Sequence, residues 1–525
     1  MHQCLGIREI LSRIAENLRD RRFEGRPGME DEYITQHTAD LAVLARTCRT
    51  FHGPAVRLLW DVQYTSDNLM RTLPSETWDV RRPHELSPDE LVLTRAIKKH
   101  EWTRFDHYAS FIRTLYIDPT LVDNMSWSQE VLTTLYLHRN SICTDLLPNL
   151  INLRAATVSW DPSSYSQVAV LLGRSLKRIE VVPADGVGDW TSALLGYLPS
   201  ACPNIEKVDI TDSRDLPSNL AQDLVQCESL RCFRSDAPVS IQTAMDFLQL
   251  LKLHELSLNI LEDEDENPNT IFPRIKAHFL TKLRLCLHEP PYALKFLACC
   301  SFPVLQSIGL LVQEPQFLPS HITALYDHCE LDQLRTFDIQ FQAPDLFSDY
   351  AFPSDIILPL LLFKNLQVVD ISTLPLSADD DLLREMATAW PQLAKLRMPH
   401  YRENSSIRSQ ITLVGLIPLA QRCPKLMELR ISVNGNPPPY PIRNLPGHGL
   451  SKSRLQTIEV YDSPVNQTAW TAAFLSGLFP ALSTITSGKY RNRWGSVNTG
   501  LQVFTEVRMQ EREGLLWIAS SGLVG

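Results

Sequence analysis

One pattern of apolar and polar positions recurs along the chain: an apolar residue, two others, an apolar residue, one other, and a third apolar residue. It reads Leu176/Ile179/Val181, Ile205/Val208/Ile210, Leu253/Leu256/Leu258, Leu280/Leu283/Leu285 and Leu305/Ile308/Leu310. It continues as Leu334/Phe337/Ile339, Leu366/Val369/Ile371, Leu393/Leu396/Met398, Leu426/Leu429/Ile431 and Leu455/Ile458/Val460. Weaker copies sit at Ile112/Leu115/Ile117, Leu150/Leu153, Leu230/Phe233 and Leu482/Ile485. From position 153 onward the central residues are spaced by about 23 to 33, on average about 28. Two apolar residues separated by one other match a short strand buried on one side.

The segments upstream share a grammar. A helical stretch such as TSALLGYLPSAC or LLREMATAW ends in a small or sulfur residue, often followed by proline, as in ACPNI at 201, SFPVL at 301, AWPQL at 389, RCPKL at 422 and LFPAL at 478, where the prolines follow Cys202, Phe302, Trp390, Cys423 and Phe479. Proline lacks the N–H a helix needs and disfavours helix at the residue before it, so the helix stops and the next apolar residue turns inward. One strand and one helix per unit make a stacked αβ solenoid, in which each unit buries its apolar face only against its neighbours. The expected fold class is therefore α/β: a short all-helical N-terminal unit followed by an αβ solenoid with a parallel sheet.

Residues 4–18 place Leu5, Ile7, Ile10, Leu11, Ile14 and Leu18 on one helical face. A second apolar block holds Leu41, Leu44, Cys48, Phe51, Ala55, Leu58, Leu59 and Trp60, with Pro54 expected near a helix start. The polar, glycine-containing stretch 19–40 between them reads as an exposed insertion. Ser87-Pro88-Asp89-Glu90 resembles a helix opening, so 65–110 is read as a helical linker. The division expected is 1–64, 65–110, 111–490 for the repeats, and 491–525 for a cap and tail.

Composition narrows the function classes. The 525 residues carry 50 Lys and Arg against 60 Asp and Glu, a formal charge of −10, which argues against a nucleic-acid binder. The start MHQCLGIREILSRI has charges where a secretory peptide is apolar. The longest apolar run, Ile356 to Phe363, falls short of the roughly 20 residues of a membrane helix. Eleven cysteines without a C-x-x-C pair read as reduced thiols, so an intracellular place, cytoplasm or nucleus, is expected, with no membrane contact.

No catalytic constellation stands out. Nucleophile-elbow, phosphate-loop and dinucleotide motifs are missing, and His-Glu at His84, His254 and His288 lacks a second His at metalloprotease spacing. The acidic run 262–266 reads as a solvated loop, Cys299-Cys300 as buried structural thiols, and the Pro-Pro-x-Tyr match within 436–441 as a rigid connector. No enzyme activity, cofactor or metal is expected. Side chains alternating with the buried ones are candidates for holding a protein target: Glu180, Asp209, Thr211, Ser257, Asn259, Arg284, Cys286, His288, Asp338, Gln340, Asp370, Ser372, Arg397, Arg430, Glu459 and Tyr461.

The repeats resemble the leucine-rich repeat family in its long-unit form, which implies a curved horseshoe with the sheet and those candidates on the concave face and helices on the convex face. The N-terminal block resembles the F-box, through Ile7, Glu9, Ile10, Leu11, Ile14 and Leu18 and then Ala45, Cys48, Arg49, Phe51, Leu58 and Trp60, with Arg8 where that family usually carries Pro. Together they are similar to fungal F-box proteins with C-terminal leucine-rich repeats. That resemblance implies a non-catalytic substrate receptor of a cullin–RING ubiquitin ligase. A Skp-family adaptor, and through it a cullin, would dock on Leu5, Ile7, Ile10, Leu11, Ile14, Leu18, Leu41, Leu44, Cys48, Phe51, Leu58 and Trp60. The repeats would hold an unknown protein substrate. The alternative is a repeat scaffold without a ubiquitin role, residues 4–60 acting as its cap.

Overall fold

A computed structural model describes residues 9–11, 13, 16, 30–82, 89–117, 125–142, 145–156, 162–182, 188–211, 216, 219–250, 252–261, 272–287, 290–330, 332–342, 351–399, 409–438, 453–488 and 490–520. The chain is mixed α/β. Its main sheet has 15 parallel strands that follow one another in chain order. No described helix is long and apolar enough to cross a membrane. By its internal contacts the chain divides into two units, Met1–Val239 with Leu250–Leu253, and Ser240–Gln249 with His254–Gly525.

In the first unit the strands are β1 (Val62–Gln63), β2 (Thr114–Ile117), β3 (Asn152–Ala156), β4 (Arg178–Val182), β5 (Lys207–Ile210) and β6 (Cys232–Val239). Their register places Leu115, Leu153, Ile179, Val208 and Phe233 side by side, all buried. In the second unit β7 (Glu255–Ile260), β8 (Lys282–Leu287), β9 (Ser307–Val312), β10 (Thr336–Phe341) and β11 (Val368–Asp370) are followed by β12 (Lys395–Arg397), β13 (Glu428–Arg430), β14 (Thr457–Glu459) and β15 (Thr484–Thr486). There Leu256, Leu283, Ile308, Phe337, Val369, Leu396, Leu429, Ile458 and Ile485 form one row. Within each unit the row is the set of central positions expected from the repeat.

Most strands are tied to their predecessor by a shared acceptor. The Lys177 carbonyl takes the N–H of both Glu206 and Lys207, and Gln306 takes those of Arg335 and Thr336. Arg335, Gln367 and Ala394 serve the next repeats in the same way. The helix-stop grammar holds at four of the five sites; before Phe302 the helix has ended at Cys299, and Cys300–Ser301 is a short strand. The N–H groups of Cys202, Trp390, Cys423 and Phe479 close their helices on Leu198, Met386, Leu419 and Leu475, at 2.7–3.0 Å. Their carbonyls then accept from Ile205, Leu393, Leu426 and Leu482, at 3.0–3.1 Å. All four pre-proline residues are fully buried, so each is both the end of a helix and a piece of the core.

Two local expectations change. The stretch 19–40 is not an insertion throughout, because helix α1 runs from Glu30 to Thr47. Its breakers Gly25, Pro27 and Gly28 all precede Glu30, and nothing after them stops a helix. Cys48 is extended (φ −161°, ψ 163°) and separates α1 from α2 (Arg49–Asp61), so Pro54 lies inside a helix instead of opening one. Nor is 65–110 a helical linker. Glu90–Leu93 is a strand, antiparallel to Trp78–Arg81 and parallel to Ser126–Trp127, and among the described residues of this stretch only α3 (Trp102–Ala109) is an α-helix of length. The Leu91 side chain is wholly buried in that small sheet, and this burial outweighs the helix-opening signal at Pro88.

Near the C-terminus, helix α4 (Arg491–Ser520) runs through the stretch read as a cap and tail. Asn498 on this helix donates to the Ile485 carbonyl at 2.7 Å and accepts its N–H at 2.8 Å. The side-chain amide thus stands where a next strand would be.

Replacing Trp390 by Ala removes a fully buried pre-proline anchor and should cost about 3–5 kcal/mol in chemical denaturation. A loss under about 1 kcal/mol would show that the pre-proline residues do not hold the core. Thiol labelling gives a second check. Burial pushes the thiols of Cys202, Cys300 and Cys423 up to about 12, whereas the Phe51 N–H lowers Cys48 below the ordinary range. Cys48 should react with a thiol reagent well before those three, which should wait for unfolding.

Candidate binding face of the sheet

Most strand residues flanking the buried row point away from the core and stay half-exposed or exposed, as the pleat requires. In the first unit this face begins with Tyr64 stacked on Tyr116, ring centroids 5.1 Å apart. Arg154 lies 3.5 Å from Glu180, and Asp209 is approached by Lys207 at 3.0 Å and Arg234 at 3.8 Å.

The second unit carries the denser arrangement. Register aligns Ser257, Arg284, Gly309, Asp338, Asp370, Arg397, Arg430, Glu459 and Thr486 in one row. Gly309 leaves a gap in it. A Cβ there would stand 3.1 Å from Arg284 Cγ, so the missing side chain lets Arg284 lie across β9 and come within 3.7 Å of Asp338. Asp338 and Asp370 are direct partners on adjacent strands. Burial, then the neighbouring Asp370 carboxylate, push the Asp338 pKa up, with Arg284 opposing.

Glu428 is the hub. Its carboxylate meets Arg397 at 3.0 Å, Arg430 at 3.0 Å and Lys395 at 3.4 Å. Arg397 also holds Asp370 at 3.0 Å, and Arg430 reaches Glu459 at 3.3 Å. Burial alone would raise the pKa of Glu428, but the Arg397 hydrogen bond and the surrounding cations outweigh it and hold the carboxyl below its ordinary value. Tyr461, just past β14, has a left-handed backbone (φ 48°), and burial with the adjacent Glu459 pushes its phenol up to about 12.

Of the residues expected on this face, Glu180, Asp209, Thr211, Arg284, Asp338, Gln340, Asp370, Ser372, Arg397, Arg430, Glu459 and Tyr461 are half-exposed. Ser257, Asn259 and Cys286 are buried, which departs from the expectation for them. Their strands are six residues long, and the pattern of β7 is buried through its last five positions. His288 lies outside the described residues. The hub itself was missed, as was Lys395. Both precede a central apolar residue by one position, so the same alternation that marked Arg397 and Arg430 marks them too.

The N-terminal candidates are more dispersed. Leu11 and Leu41 are buried, Ile10 is exposed, and Leu44, Cys48, Phe51, Leu58 and Trp60 are half-buried. Trp60 packs within the chain, stacked on Tyr108 at 4.5 Å. Leu5, Ile7, Ile14 and Leu18 lie outside the described residues, as do the acidic run 262–266 and the second half of the proline motif.

Because the folded pKa of Glu428 lies below its unfolded value, its stabilisation is complete above the ordinary carboxylate range and is lost as pH falls through the folded pKa. Glu428→Gln should therefore lower Tm at neutral pH and reduce the further loss on acidification. Identical acid slopes in both proteins would remove Glu428 as the hub.

The chain matches no protein-family model and no curated protein.

Proposed function

We propose that this chain is a non-catalytic substrate receptor of a cullin–RING ubiquitin ligase, its N-terminal helices docking a Skp-family adaptor and its leucine-rich repeats holding a protein target. The observation that carries the reading is the alignment of the repeat's central apolar residues, strand beside strand, over a face laced with ion pairs. Side chains fixed by several partners present a pre-ordered mixture of donors and acceptors, which suits selective protein recognition more than chemistry on a small molecule. Ahead of the repeats in the chain, Ile10 and Val43 expose apolar surface, with Val43 54% accessible. Such surface on a helix is what a partner's groove would cover.

A scaffold without a ubiquitin role has its own support. Trp60 stacks on Tyr108, and Val62 pairs with Thr114 at the start of the sheet, as a cap would do.

Co-purification with a Skp-family adaptor separates the two. The intact chain should capture the adaptor, and Ile10→Asp with Val43→Asp should weaken capture by about tenfold or more while leaving Tm unchanged. No capture by the intact chain, with a large fall in Tm on removing residues 1–60, would establish the cap instead.

A further inference from the structure

Helix α2, the α3 helix and the residue pair after it build a second surface, distinct from the ionic sheet face. Trp60, Tyr108, Phe111 and His107 form one ring cluster. Trp60 stacks on Tyr108 at 4.5 Å, and His107 meets Tyr108 edge-on at 5.3 Å and Phe111 at 4.8 Å. Two guanidinium groups rest on it: Arg57 over Phe111 and Arg104 over Tyr108, each 5.7 Å from the ring centroid. Both arginines are exposed, and among the described residues neither has a carboxylate at ion-pair distance. The acids nearest in sequence point elsewhere: Asp106 faces His138 Nε2 at 2.8 Å, and Asp61 faces Arg113 at 3.9 Å.

Helical periodicity extends this surface. Arg49, Gly53 and Arg57 are four residues apart and share one face of α2. All three are exposed, and nothing lies within 4 Å of where a Gly53 side chain would begin. The face is a shallow strip with a cation at either end and rings beside it.

We propose that this strip binds an acidic segment of a partner protein. An arginine laid on a ring has its fork of donors held in place and loses little freedom on meeting a carboxylate. Tryptophan, tyrosine and arginine together are the composition of protein-binding hot spots. A nucleic acid fits less well: it needs a long row of cations, the strip is half aromatic, and the whole chain carries −10. The inference stands whether or not the ubiquitin reading does.

The test uses the full chain and a fluorescein-labelled peptide alternating Glu with Trp, beside the same peptide with Gln for Glu and a single-stranded oligonucleotide of equal charge. The Glu peptide should bind, weaken with added salt, and lose about tenfold or more in affinity in Arg57→Gln/Arg104→Gln, which keeps two polar side chains but removes both charges. Arg57→Lys/Arg104→Lys should restore only part of that loss, since an ammonium lacks the fork. Arg384→Ala, at an exposed arginine of the second unit, should change nothing. Equal binding of the Gln peptide, unchanged affinity in the Gln double variant, or tighter binding of the oligonucleotide would each overturn the proposal.

Discussion

The structure depends on one recurring backbone arrangement: at most strands a carbonyl at the start accepts two N–H groups from the next. A strand of three residues, such as β12 or β13, buries too little to persist alone. Fixed between two others by shared acceptors, it places one aliphatic residue in a continuous row and two polar ones on the opposite face. The core, the ion pairs and the order of the sheet all follow from that repeated step.

This geometry also explains why the charged face of the second unit is balanced. Lys282, Arg284, Lys395, Arg397 and Arg430 stand among Glu255, Asp338, Asp370, Glu428 and Glu459. Parallel strands bring equivalent positions within side-chain reach, so like charges in register would repel along the whole row. Where Arg397 and Arg430 do fall side by side, Glu428 lies between their guanidinium groups. Where Asp338 meets Asp370, Arg284 and Arg397 flank them across the neighbouring strands. Single exposed pairs contribute little, but shared hubs limit how each side chain can be presented.

Much of this was legible in the residue pattern because burial in a repeat is periodic. The spacing of apolar residues located the strands, and the pre-proline residues located the ends of several helices. What escaped was decided by contacts distant in sequence. The stacking of Trp60 on Tyr108 joins residues 48 positions apart, which no local period encodes. The helix signal at 87–90 was local, and Glu90–Leu93 is a strand because Leu91 is buried between two other strands. The role of Gly309 was likewise invisible, since a glycine says nothing of the arginine that will lie across it.

A sheet that grows by identical steps has no intrinsic reason to stop. The outer edge of β15 would offer free backbone groups to any extended segment, including one from another molecule of the same kind. The Asn498 amide occupies both groups of Ile485, acting as a one-residue imitation strand that cannot itself be extended. The length of the array is thereby written into the chain instead of being left to concentration.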